Sequence, residues 1–363
     1  MKRLLSLLLV FALVIFGLVG CAQSDGGKST QSDVDSSDKV SVDASPKDVV
    51  TIKVGHVCAP AHPCHQSFLD FGERVEERSG GTMKVEVYPS SQLGSEREMI
   101  EMTLAGSMEI FYSGSQTLGL FCDAVNFQGL PFFFTGGKPA AREFFALYGD
   151  EIAQIFEDEL DVQIVWTDNS AYGQASQGKK IVLPEDIVGV KIRTLETEMM
   201  IKTYEVLGAL ATPVNASEVY TALQQGTIDA ATSNAILLDM MNWKEVSDYY
   251  LDSKLFVDMG VSMYTNEFFN SLTPEQQVIF TEELETFTKE YSAAFDAAEL
   301  NIIDNLVASG IEVTVPNKEQ YEQWIEAVQP VYTWFKEKYG EKYPELDKYI
   351  KAAQEINAKY TTE

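Results

Sequence analysis

Basic residues are scarce in this chain: 27 Lys and Arg face 55 Asp and Glu, a formal charge of −28 over 363 residues. A surface so negative repels phosphate backbones and excludes nucleic acid as a partner. Any anionic ligand must then meet a local positive group, because the field of the whole molecule works against it. Histidine is limited to three residues and cysteine to four, too few for a disulfide-built fold. Phosphate loops, nucleophile elbows and paired-glycine dinucleotide turns in a supporting context are missing, so no motif names a reaction. Hydrophobic residues, by contrast, make up 45% of the chain with 20 Phe and 16 Tyr, enough for a large globular core.

The N-terminus carries the apolar run Leu4 to Val19 behind Lys2 and Arg3. It falls short of the roughly 20 residues of a spanning helix and has the charge, length and small-residue exit of a secretory signal. Its end, Leu18-Val19-Gly20-Cys21, resembles a bacterial lipobox, in which the cysteine is lipidated and becomes the first mature residue. From Ala22 to Lys47 no Leu, Ile, Phe, Tyr or Trp occurs, so nothing there offsets the entropy of ordering. Residues 1–20 thus read as signal peptide and 21–48 as a lipidated tether that holds the body outside the cytoplasmic membrane. Past Cys21 only Cys58, Cys64 and Cys122 remain, which allows one internal bridge at most, with Cys58 and Cys64 near enough in sequence to form it.

Folded sequence starts near Val49. Val50, Ile52 and Val54 alternate with polar residues, as do Met83, Val85 and Val87, and Phe68, Phe71 and Val75 between them fall at helical spacing. Strand, helix, strand is the unit of a parallel sheet. The same rhythm recurs around Val190–Arg193, Ala211–Val214 and Ile228–Ala231, so two α/β lobes are expected. Thr273-Pro274-Glu275-Gln276 is a capping box with proline at the first helical position. No Gly or Pro follows until Gly310, and about 36 residues of uninterrupted helix would run about 54 Å, a strut spanning both lobes. Asn317 and Gln320 cap a further helix, with a kink expected at Pro330.

All three histidines, His56, His62 and His65, are interleaved with Cys58 and Cys64. Imidazole and thiolate at this density can hold zinc, but the spacing fits no helical His pair or two-cysteine knuckle, and Pro60 and Pro63 make the stretch a loop. A loop lining a cleft, with or without a disulfide, is the preferred reading over a metal site. Arg193 ends a strand where ligands bind in open α/β sheets, and its planar fork suits a carboxylate; a salt bridge to one of the many acids is the competing reading.

The run Pro184-Glu185-Asp186-Ile187-Val188-Gly189-Val190-Lys191-Ile192-Arg193 resembles the signature of TRAP-transporter solute-binding proteins, the four-carbon-dicarboxylate-binding family. Thr212-Pro213, Ser217 through Gly226, Ile228-Asp229, Gln92-Leu93-Gly94, Leu130-Pro131-Phe132 and the helix after Thr273-Pro274 extend the resemblance over roughly Val49 to Tyr339. It implies a two-lobed α/β clamp of the periplasmic-binding-protein kind, with a long helix bracing both lobes. Residues 49–168 and 259–298 would form one lobe, 169–258 and 299–363 the other, hinged near Trp166–Ser170 and Val257–Met263. It also implies capture of an organic acid for a sodium-coupled membrane transporter, no enzymatic activity and no cofactor, with Arg193 as the carboxylate-binding residue.

Departures from the family pattern bear on the ligand. Gly173 stands where many members have a second arginine, Ala216 where an aromatic often precedes Ser217, and Ser233 where asparagine is usual, with Asn234 beside it. A roomier cleft with one fixed positive group is expected, favouring a bulkier monocarboxylate such as a sugar, hydroxy, keto or aromatic acid over small dicarboxylates. Glu96, Gln116, Tyr172, Gln174, Asn215, Ser233 and Asn234 are the further ligand-binding candidates. A sensor partner in place of a transporter, and a secreted metal-dependent enzyme using the His/Cys loop, are the alternatives. The lipobox reading has a direct check: mass spectrometry should find the mature N-terminus at a lipidated Cys21, and Cys21→Ser should release the protein into the soluble fraction. A free Ala22 or an intact Met1 would be the contrary result.

Overall fold

Hydrophobic alternation and helical spacing resolve into two sheets joined by three chain crossings. The computed structural model describes residues 49–360, so the signal segment, Cys21 and the tether lie outside the described residues. In chain order the first lobe builds β1 (Val50–His56), α1 (Pro63–Arg78), β2 (Met83–Tyr88), α2 (Glu96–Leu104), β3 (Ile110–Gly114), α3 (Gly137–Leu160) and β4 (Val162–Thr167). The second contributes β5 (Ala171–Ser176), β6 (Lys191–Thr194), α4 (Glu198–Val206), β7 (Leu210–Pro213), α5 (Val219–Gln224), β8 (Ala230–Asn234), α6 (Ala235–Met240) and β9 (Tyr249–Val257). The chain returns through β10 (Gly260–Thr265), α7 (Asn266–Ser271) and α8 (Pro274–Glu299). It ends with α9 (Ile302–Ala308), β11 (Glu312–Thr314), α10 (Lys318–Ala327), α11 (Gln329–Tyr339) and α12 (Leu346–Tyr360). No helix among the described residues is long and apolar enough to cross a membrane.

The first sheet runs β2-β1-β3-β10-β4 and the second β11-β9-β5-β8-β6-β7. In each, one strand runs against the others, β10 between β3 and β4 in the first sheet and β5 between β9 and β8 in the second, and the remaining strands run parallel. The β4–β5 and β9–β10 crossings fall at residues 168–170 and 258–259, within the segments expected from the order of elements. Gly260 is required where β10 enters the first sheet: a Cβ there would meet Thr167 Oγ1 at 2.2 Å and Tyr112 Oη at 2.9 Å.

The capping box at Thr273 forms as expected: the Gln276 N–H donates to Thr273 Oγ1 at 3.3 Å and the Thr273 N–H to Gln276 Oε1 at 3.0 Å. The long helix differs from expectation. It stops at Glu299 after 26 residues, about 39 Å, instead of continuing to Ser309. Asn301 leaves helical geometry at φ −122°, ψ 12°, and α9 takes a new direction that buries Ile302 and Leu306. A straight continuation would not turn this apolar pair onto the second lobe. The helix therefore braces the first lobe and reaches the crossings with its C-terminal end. Pro330 does break α10 from α11, with Val328 as the joint. Another difference concerns the C-terminus: α12 docks on α3 and on the helical turn at Asp123–Gly129 before it, where Tyr349 stacks on Phe127 of that turn at 4.8 Å and Lys348 pairs with Glu151 of α3. Its apolar face, Tyr349, Ile350, Ala353 and Ile356, finds its cover there.

The first-lobe core is aromatic. Phe68 of α1 stacks on Phe287 of α8 at 4.1 Å, Phe71 meets Phe280 edge-on, and Phe287 stacks on Tyr291. Phe287→Ala should cost roughly 3–5 kcal/mol, the range for emptying a fully buried aromatic site, read as a lower urea midpoint at unchanged slope. At the β9–β10 crossing Asp258 is 1% exposed. Burial pushes its carboxyl up to about 7, against hydrogen bonds from the Ser115 hydroxyl at 2.8 Å and the Gln116 N–H at 3.3 Å. The folded chain therefore binds the proton more tightly than the unfolded one, and stability is lost as pH climbs from about 4 to about 7. Relative to Asp258→Asn, the wild type should lose roughly 2–3 kcal/mol between pH 5 and pH 8. Parallel stability curves for the two proteins would show that the carboxyl keeps its ordinary value.

Candidate functional site

The carboxyl ends of β1 and β3 in one lobe face those of β6 and β8 in the other, and an enclosed cavity lies between them. Among the described residues Arg193 of β6 is its only lining arginine or lysine, and it is 2% exposed. Nε donates to the Val214 carbonyl at 2.8 Å and Nη1 to the Thr232 carbonyl at 3.2 Å. Among the described residues it has no salt-bridge partner, so the ion-pair reading fails. The guanidinium carbon sits 5.7 Å from the Trp243 ring centre. Two backbone carbonyls thus aim the fork and leave other N–H donors for a guest. Burial pulls the guanidinium below its usual value, and Glu96 across the cavity opposes that shift.

Glu96 opens α2 behind the Ser95–Glu98 capping box and accepts a hydrogen bond from the Ser113 hydroxyl. Burial raises its carboxyl above the usual range, while Ser113 and Arg193 pull it down. Tyr172 also lines the cavity, its phenol driven well above the ordinary value by burial. Asn234 caps α6, accepting from the Leu237 N–H at 2.8 Å, and its amide reaches Asn169 Oδ1 at 3.4 Å. The free space is about 40 Å³, room for about three waters.

Arg193, Glu96, Tyr172 and Asn234 therefore meet as expected from sequence, and Ala216 lines the cavity too. Four candidates do not line it. Gln174 is fully buried and donates to the Tyr204 hydroxyl at 3.0 Å. Ser233 is also fully buried, its hydroxyl donating to the Asn234 carbonyl. Gln116 packs beneath Gly129, and Asn215 borders a small neighbouring space behind Arg193. These positions belong to the right strands and turns, but side-chain direction sends them away. The roomier cleft is not found at Gly173 either. A Cβ there would meet the Leu251 carbonyl at 2.1 Å and the Tyr250 hydroxyl at 2.8 Å, because Tyr250 fills the volume. Sequence reasoning missed Tyr112, Ser113, Asn169, Trp243 and Tyr291. Asn169 alone carried a signal, its place at a crossing.

The His/Cys loop does line the cavity, through Cys58 and His62. Cys58 and Cys64 are unbridged, buried and in contact. The hydrogen bond with Cys64 lowers the Cys58 thiol, and burial raises that of Cys64.

Comparison with known proteins agrees with this geometry. Residues 54–338 match the family model described as bacterial extracellular solute-binding protein, family 7 (DctP). A TRAP periplasmic solute-binding protein of Anaerococcus prevotii, solved with bound α/β-D-glucuronate, is 26% identical and superposes with a TM-score of 0.79 over 86% of this chain and 100% of the other. One from Xanthobacter autotrophicus, solved with β-D-galacturonate, is 27% identical with a TM-score of 0.76 over 85% and 99%. The Salmonella typhimurium protein YiiZ, itself uncharacterized, is 29% identical across 77% of this chain and 85% of its own length. A two-lobed α/β clamp, a buried arginine aimed into the space between the lobes, and a family match over most of the chain converge: the chain belongs to the family 7 extracellular solute-binding proteins, which capture organic acids for TRAP transporters.

Proposed function

We propose that the ligand is a sugar acid of hexuronate size with a single carboxylate, taken up by Arg193 and passed to TRAP membrane subunits. The carrying observation is the buried Arg193 fork, satisfied on one side by two backbone carbonyls and open toward the cavity. Among the described residues only one fixed positive charge lines the site, and partly buried Glu96 faces it. A second carboxylate on the ligand would meet Glu96 without a cation, whereas a hydroxyl can donate to it. Asn169, Asn234 and Ser113 add donors and acceptors, and Tyr172 and Trp243 offer flat apolar faces. That mixture suits a polyhydroxylated ring. The relatives crystallised with glucuronate and galacturonate support the same class.

Binding and release would proceed by rotation about the crossings at residues 168–170 and 258–259, opening a cavity now too small for a hexuronate. The body would work at the membrane surface, held by lipid on Cys21. Charge-assisted hydrogen bonds in a closed, dry cleft contribute about 1.5–3 kcal/mol each, which lets an acidic protein retain an anion. In calorimetry, D-glucuronate or D-galacturonate should bind well ahead of succinate. Arg193→Ala should weaken binding about 30-fold to several thousandfold, the cost of roughly 2–5 kcal/mol for breaking a buried charged pair. Its circular dichroism should be unchanged. Binding within threefold of wild type would remove Arg193 from the site, and preference for succinate would overturn the ligand class.

A further inference from the structure

His56, Cys58 and Cys64 form a cluster in the wall of the cavity, which Cys58 lines, and organic-acid capture does not explain it. Their ligating atoms, one imidazole nitrogen and two sulfurs, all lie within 4.8 Å of one another, and all three residues are buried. His56 Nδ1 is 3.8 Å from Cys64 Sγ. Two corners of a tetrahedral zinc site, with Zn–S near 2.3 Å and Zn–N near 2.0–2.1 Å, are about 3.6 Å apart. The spacing is close to that of a site drawn in around an ion.

Two further contacts point the same way. The other nitrogen of His56, Nε2, lies 3.2 Å from His65 Nδ1. A metal-binding histidine is oriented in this manner, its second nitrogen donating to an outer partner that fixes ring and tautomer. His62 stands beside the cluster: its Nδ1 accepts from the Cys64 N–H at 3.2 Å, and its ring neighbours the Cys58 thiol. Its contacts with both cysteines make it a candidate for a fourth corner. A Cys58–Cys64 disulfide would satisfy the sulfurs alone. It would leave the fully buried His56 Nδ1 without the thiol that is its hydrogen-bond partner, and an unpaired buried polar atom is costly.

We infer that His56, Cys58 and Cys64 bind a thiophilic tetrahedral cation of the zinc class, with His62 at the fourth corner and His65 behind His56. Two thiolates neutralise a divalent ion, so the loaded site adds no net charge to the buried wall. Because Cys58 and His62 also line the ligand cavity, the ion would pin the loop between β1 and α1 against one side of the cleft.

The test uses full-length protein, reduced and stripped with chelator, and Zn2+ and Co2+ as the only added probes. One equivalent of Zn2+ per chain should bind with a Kd below about 1 µM and raise the melting temperature. Co2+ should give an intense sulfur-to-cobalt charge-transfer absorption together with the visible bands of a tetrahedral centre. Cys58→Ser and Cys64→Ser should each abolish that absorption. His65→Ala should keep the stoichiometry while weakening affinity about 10-fold or more. Reduced wild-type protein that takes up no Zn2+ overturns the site without recourse to any variant. So does a cobalt spectrum unchanged in both serine variants, or a Cys58–Cys64 disulfide that persists in the folded, reductant-treated chain.

Discussion

A guanidinium almost wholly removed from water, with no carboxylate to neutralise it, organises this molecule. Arg193 is held by the Val214 and Thr232 carbonyls and flanked by Trp243, all from its own lobe. Among the described residues its nearby acidic counter-charge is Glu96, which belongs to the opposite lobe. Desolvating a charge without a close partner is unfavourable, so Arg193 carries a local deficit that, under the proposed function, a ligand carboxylate would relieve as the lobes close. The overall charge of −28 sharpens the selection: away from this point the surface offers an anion little attraction.

The segments that join the two sheets are held by a network of ion pairs. At the first crossing Asp168 is buried and paired with Arg142 of α3 at 2.7 Å, and Arg142 also reaches Asp296 near the end of α8. Lys138 bridges Asp296 and Glu299, and the Ser170 hydroxyl donates to Glu299. Individually such half-exposed pairs contribute little. Together they tie α3, the crossing and the C-terminal end of α8 into one unit, next to the place where the helix breaks. At the second crossing Gly114 and Gly260 leave no room for side chains beside Asp258, Thr167 and Tyr112. The crossings are thus short and tightly packed. Under the proposed function, rotation of the two sheets would be confined to the few backbone angles of these crossings.

Much of this was legible in the chain itself. Strand and helix periodicities, the Thr273 and Asn317 capping boxes, the break at Pro330, the number of lobes and the crossings follow from residue order, because they depend on neighbours within a few positions. Arg193 was legible too, through strand-end position and the signature around it. Side-chain direction was not. Gln174 and Ser233 lie on strands that flank the cavity yet point away from it, while Trp243 and Tyr291 arrive from distant segments with no sequence sign of convergence. The length of α8 also escaped, since no glycine or proline marks its end. The break at Asn301 answers to where Ile302 and Leu306 can be buried.

The sequence alone determined an acidic α/β chain and carried the motifs by which it resembles an organic-acid-binding clamp, since composition, local periodicity and short motifs are properties of the chain before it folds. The tertiary structure decided which residues share the cavity, that Tyr250 fills the space beside Gly173, that α12 returns to the first lobe, and that His56, Cys58 and Cys64 meet as one cluster. Each of these depends on contacts between segments far apart in the chain. Such contacts are chosen by packing and by the cost of leaving polar atoms unpaired, and those constraints act only on the folded body.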